Sequence, residues 1–175
     1  MKHIYIILSQ SGTGVSKFLK FFSHKEYNHS SLALDKSLDE FYSFGRKKVN
    51  NFLNGGFVIE KKDKGVFEKW PNTPCLVIEK EVTDEQYERI ETIIRKGFIE
   101  NRENYKYDFF AVPFVNTNWN IQRADKYFCS SFVASILNSV DIQTIKAPNH
   151  MEPIDFLQLE NSKIIYEGIL QEYNL

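Results

Sequence analysis

Six short runs of β-branched and aromatic residues constrain this chain more than any other feature in it. They read HIYIIL (3–8), HSSLALD (29–35), DEFYSFG (39–45), GGFVIEKK (55–62), PCLVIEKEV (74–82) and KIIYEGIL (163–170). Runs of this length and composition are strands, and the short turn between the second and third predicts a hairpin. Three stretches instead carry apolar residues at helical spacing. VSKFLKFFSH (15–24) presents Val15, Phe18, Leu19 and Phe22 as a short amphipathic helix. TDEQYERIETIIRKGFIENR (83–102) opens on a capping box, Thr83 with Gln86, and aligns Tyr87, Ile90, Ile94 and Phe98. The third places Phe128, Phe132, Ile136 and Val140 four residues apart, with Val133 and Leu137 beside them. The segment GRKKVNNFLNGG (45–56) reads as a polar loop, YKYDFFAVPFVN (105–116) as an aromatic connection, and IDFLQL (154–159) as one further helical turn. With no repeat and no linker, residues 1–175 are expected to form a single α+β domain.

Charge narrows the function. Lys and Arg total 22 against 23 Asp and Glu, a net charge of −1, which removes the electrostatic case for nucleic acid as the main partner. The first apolar run, IYIIL, is too short to span a membrane and a poor match to an export signal, so no transmembrane segment and a cytoplasmic location are expected. Two distant cysteines, Cys75 and Cys129, form neither a disulfide framework nor a zinc motif. Fifteen phenylalanines point to an aromatic core. No cofactor or metal is expected.

The chemistry concentrates in KYFCSSFV (126–133), where Cys129 stands at the start of the third helix with Asp125 positioned to cap it. Unpaired N–H groups and the positive end of the helix dipole favour a thiolate there. The same donors suit the oxyanion formed when sulfur attacks a carbonyl. A nucleophilic thiol needs a base, and the histidines are His3, His24, His29 and His150. His29 opens a strand whose face carries the small Ser31 and Ala33, which would admit a close helix. A purely structural histidine at a strand end, and a buried core cysteine, are the competing readings.

A histidine opening a strand in YNHSSLALD, followed much later by aromatic-Cys-Ser at a helix start in YFCSSFVASIL, resembles the circularly permuted papain-like cysteine hydrolases. The likeness is to the YiiX/YebB-like branch of the NlpC-type superfamily, cousins of the lecithin:retinol acyltransferase-like proteins. It implies an antiparallel sheet with the nucleophile helix packed against it, and Cys129 and His29 meeting at one cleft. It further implies acyl transfer through a thioester on a peptide, amide or acyl-lipid substrate. Relatives orient the histidine with a polar residue on the next strand, but the corresponding position here falls near Phe41. Strand parity leaves Ser43 if the hairpin loop is odd and Glu40 if it is even, and the family's parity points to Ser43. Gln10 is a candidate oxyanion donor and Tyr127 a candidate wall of the cleft. A non-catalytic binding module with the same fold is the alternative, and a metal site of His29, Cys129 and a carboxylate a third reading.

Overall fold

A computed structural model describes residues 1–10, 27–48, 51–119, 121 and 123–174; the helix expected over 15–24, and His24, lie outside them. Chain order is β1 (Lys2–Ser9), β2 (His29–Ala33), β3 (Phe41–Lys48), β4 (Asn51–Glu60), β5 (Pro74–Val82), α1 (Asp84–Thr92), β6 (Lys106–Tyr107), β7 (Lys126–Tyr127), α2 (Cys129–Ser139) and β8 (Ser162–Ile169). Among the described residues β4-β3-β2-β1-β5-β8 form one six-stranded sheet, and every neighbouring pair in it is antiparallel. The protein is therefore α+β. No helix among the described residues is long and apolar enough to cross a membrane.

Central strands are apolar on both sides because both faces of the sheet are covered. Ile4, Ile6 and Leu8 of β1, with Leu32 and Phe44, pack against Ile90, Ile94, Phe132, Val133 and Ile136 from the helical side. Tyr5 and Ile7 point the other way, into a second core with Ala33, Phe41, Cys75, Val77, Leu170 and Tyr173. At the start of α1 the Gln86 N–H donates to Thr83 Oγ1 at 3.1 Å, and the Thr83 N–H to Gln86 Oε1 at 3.0 Å. This box satisfies donors that a helix start leaves unpaired. A π-helical stretch (Ile93–Ile99) continues α1 and brings Phe98 into the core.

Phe132 joins these elements. Its ring centroid lies 5.3 Å from that of Phe44 on β3, 5.7 Å from Phe57 on β4 and 4.9 Å from Phe98. Helix α2 is thus clamped to the sheet by aromatic contacts one turn after Cys129.

The stretch 45–56 is not simply a loop. β3 runs through it to Lys48 and β4 begins at Asn51, with Gly45 opposite Gly56 and Arg46 opposite Gly55. The glycines lie within the strands and serve close approach. A Cβ on Gly55 would sit 2.6 Å from Tyr107 Cβ, and one on Gly56 2.6 Å from the Tyr105 carbonyl. Real side chains do not tolerate such contacts, so these positions seat β6 directly on β4. The polar composition was legible, but this seat depends on residues about fifty positions away.

Phe132 is fully buried. Phe132→Ala should therefore lower unfolding free energy by about 3–5 kcal/mol, read from the shift in urea midpoint at constant slope.

Candidate active site

The site forms where the sheet parts. β2 and β3 pair at Leu32–Tyr42 and Ala33–Phe41, and the ladder goes no further toward His29. There the Ser43 hydroxyl bridges the strands instead, donating to the Ser30 carbonyl at 2.7 Å. The Ser30 N–H, on the same side of the strand as that carbonyl, is free of the ladder and donates to the Cys129 sulfur. A second donor to the sulfur is the N–H of Ser130, in the first turn of α2.

Local bonds hold the start of α2. The Ser131 hydroxyl accepts the Phe128 N–H at 2.9 Å, and the Ser130 hydroxyl donates to the Met151 carbonyl at 2.6 Å. Asp125 does not cap the helix as expected. It turns the chain with φ 60°, a left-handed conformation that Asp tolerates, and its carbonyl accepts the Lys106 N–H.

Across the seam, His29 Nε2 lies 3.0 and 3.1 Å from the two carboxylate oxygens of Glu60, the last residue of β4. Ser31 Oγ donates to Glu60 Oε2 at 2.6 Å and steadies that carboxylate. Gly45 faces both groups: a Cβ there would meet His29 Cε1 at 3.8 Å and Glu60 Oε1 at 3.9 Å, ordinary contact distances. With Nε2 held by the carboxylate, Nδ1 is the nitrogen left for the sulfur, with which the ring is hydrogen-bonded.

The electrostatics reinforce this pairing. Burial opposes a charged His29 ring, yet the Glu60 charge and the bonds to Cys129 and Glu60 outweigh it, raising the pKa well above the ordinary value. Burial likewise pushes the Cys129 thiol up. Bonding to and charge on His29, with the two backbone N–H groups, overcome that and leave the thiol below its usual range. Both shifts run in the direction of a thiolate beside an imidazolium. Tyr107 adds a hydroxyl bonded to the sulfur; burial first, then the negative charge of Cys129, keep it protonated. Cys75 shows the contrast, since burial raises its pKa to about 12.

Several expectations change. The group beside His29 is Glu60 on β4, neither Ser43 nor Glu40. The register does settle parity: Phe41 faces Ala33, so Ser43 shares the His29 side, but its hydroxyl is spent on the Ser30 carbonyl. Glu40 pairs with Lys61 at 3.0 Å on the surface. Helix α2 covers the Leu32 and Leu34 side of β2, not the small-residue side carrying Ser31 and Ala33. His29 and Cys129 meet because the seam opens between those faces. Tyr127 is no cleft wall; its ring packs among Phe44, Phe98 and Tyr105. Gln10 continues β1 beyond Ser9, with its N–H on the Pro74 carbonyl. Among the other described histidines, His150 directs Nδ1 to the Val115 carbonyl, and His3 sits at the far end of β1 from Ser9. Cys129 is only 6% exposed, less open than a nucleophile was expected to be. Glu60 and Tyr107 were missed. The one sequence signal for Glu60 is an acid closing a strand, and many solvated residues share it.

No protein-family model matches this chain, and no curated protein matches it. Among the described residues no three His, Cys, Asp or Glu side chains are arranged to hold a metal ion.

An ordinary thiol is about 0.3% ionised at pH 6. Limiting iodoacetamide at that pH should therefore modify Cys129 well before Cys75, as peptide mapping by mass spectrometry will show. His29→Ala should slow the Cys129 reaction, because loss of the ring raises the thiol pKa and removes thiolate.

Proposed function

We propose that this protein is a cysteine hydrolase or acyltransferase, with Cys129 as nucleophile, His29 as acid and base, and Glu60 as the group that orients His29. The carrying observation is the bonded series of Glu60 carboxylate, His29 ring and Cys129 sulfur. The chain order His29, Glu60, Cys129 fits the permuted papain-like arrangement that the sequence resembles. Glu60 departs from it by coming from the strand beyond the neighbour of β2.

In this reading the Cys129 thiolate attacks a carbonyl carbon, and the carbonyl electrons move to oxygen. N–H groups at the start of α2 are placed to hold that oxyanion. The His29 imidazolium gives its proton to the leaving amine or alcohol as the carbon–heteroatom bond breaks, leaving a thioester. Neutral His29 next takes a proton from water or another acceptor, which attacks the thioester and releases Cys129. Glu60 keeps the ring in one tautomer and favours its charged form, the task of the third member of such triads.

The test is acylation by an activated ester, p-nitrophenyl butyrate. Mass spectrometry should find the butyryl group on Cys129, with a burst of nitrophenol that Cys129→Ala abolishes. A burst that persists in Cys129→Ala, or acylation that His29→Ala leaves unaltered, refutes the reading.

Glu60→Gln adds a pH signature. The Glu60 charge raises the His29 pKa, so its loss must lower it. The alkaline limb of the pH–rate profile, where the imidazolium acid is lost, should then move to lower pH. The maximal rate should fall about 10²- to 10⁴-fold.

A further inference from the structure

A groove of about 550 Å³ lies between the β3–β4 end of the sheet and the β6–β7 pair. Tyr107 lines it, and the hydroxyl of the same side chain reaches the Cys129 sulfur. Tyr107 therefore borders both the groove and the sulfur.

The lining is strongly basic for a chain whose net charge is −1: it holds Lys47, Lys106, Arg123 and Lys126 against one acid, Glu103. Two of these cations are already matched. Lys47 pairs with Glu103 at 3.2 Å, and Arg123 forms a two-pronged ion pair with the buried Asp108. Lys106 and Lys126 differ. They stand directly opposite each other in the parallel β6–β7 pair, and neither makes a side-chain hydrogen bond or ion pair among the described residues. Like charges facing each other across a ladder destabilise it. Two unmatched ammonium groups at the mouth of a groove are what an anion would neutralise.

We propose that this groove binds an anionic group, phosphate or carboxylate, on the molecule whose carbonyl meets Cys129, with Lys106 and Lys126 as its ligands. The proposal rests on Cys129 being the nucleophile and adds the substrate class. Asp108 and Arg123 position the pair. The Asp108 N–H bonds the Tyr127 carbonyl, and its carboxylate holds Arg123 and the Ala111 N–H, which keeps β6 beside β7. Phe109, tilted against Tyr107 with ring centroids 4.5 Å apart and 37% exposed, offers apolar surface next to the cations. The groove thus suits an acyl compound with an anionic end rather than a neutral amide.

Two alkylating reagents of similar size test this, because iodoacetate carries a carboxylate and iodoacetamide does not. The measured quantity is the ratio of their rates at Cys129, divided by the same ratio for glutathione at equal pH and ionic strength. We expect a preference for iodoacetate of about tenfold, the scale of electrostatic focusing in a charged cleft. It should collapse in K106Q/K126Q and persist in K106R/K126R, which separates the lysines from the nearby imidazolium. A ratio that K106Q/K126Q leaves unchanged overturns the proposal. Protection of Cys129 against iodoacetamide by inorganic phosphate or by glutarate, with chloride as the ionic control, tells phosphate from carboxylate; protection by neither also overturns it. Phosphate titration of the Cys129→Ala protein, followed by the amide NMR signals of Lys106 and Lys126, reads the groove without the thiol. Shifts there beside an unreactive Cys129 would remove the nucleophile reading alone. A reactive Cys129 beside a groove indifferent to charge would remove this one alone.

Discussion

One imidazole ring, held between a carboxylate and a sulfur at the open end of a sheet, sets the demands that the surrounding structure meets. Burying ionised groups costs several kcal/mol each unless they are paired and hydrogen-bonded. Here the carboxylate of Glu60 has both oxygens on the His29 ring and one also on the Ser31 hydroxyl. The sulfur has the ring and two backbone N–H groups. Each member is satisfied by its neighbour, so removing any one strands the others. The arrangement also needs a gap in the β2–β3 ladder, because a continuous ladder would occupy the Ser30 N–H and close the seam through which ring and sulfur meet.

Holding that gap open without losing the sheet falls to residues remote from the chemistry. Phe132 clamps α2 against Phe44, Phe57 and Phe98, while Ser130 and Ser131 tie its first turn to Met151 and Phe128. The sulfur therefore approaches β2 at a height set by aromatic packing. The two cysteines show how far environment governs a thiol. Cys75 lies in a strand between apolar neighbours and is pushed to about 12, whereas Cys129, also buried, is drawn the other way by its partners.

The glycine pair in β4 links the site to the groove beside it. Gly55 and Gly56 let residues 105–107 lie against the strand, which carries Tyr107 to the sulfur and places Lys106 next to Lys126. The same backbone approach thus serves the Cys129 sulfur on one side and the cationic wall on the other.

Local pattern determined the elements. The six strand-like runs became the six strands of the sheet, the Thr83 box and its stripe became α1, and Cys129 was placed at a helix start, because periodicity and capping act over a few residues. Even the parity of the hairpin lay within reach, leaving only one loop length to choose. Tertiary structure decided the partners. Glu60 stands 31 residues from His29 and meets it only because β4 lies beyond β3 in that register. Tyr127 was claimed by the aromatic core, and Tyr107 was brought to the sulfur by glycines whose composition resembled a loop. Such pairings follow from strand order, register and volume, which are properties of the whole packed chain. A local window shows what a residue can do; which neighbour it does it with depends on where the rest of the chain has been obliged to go.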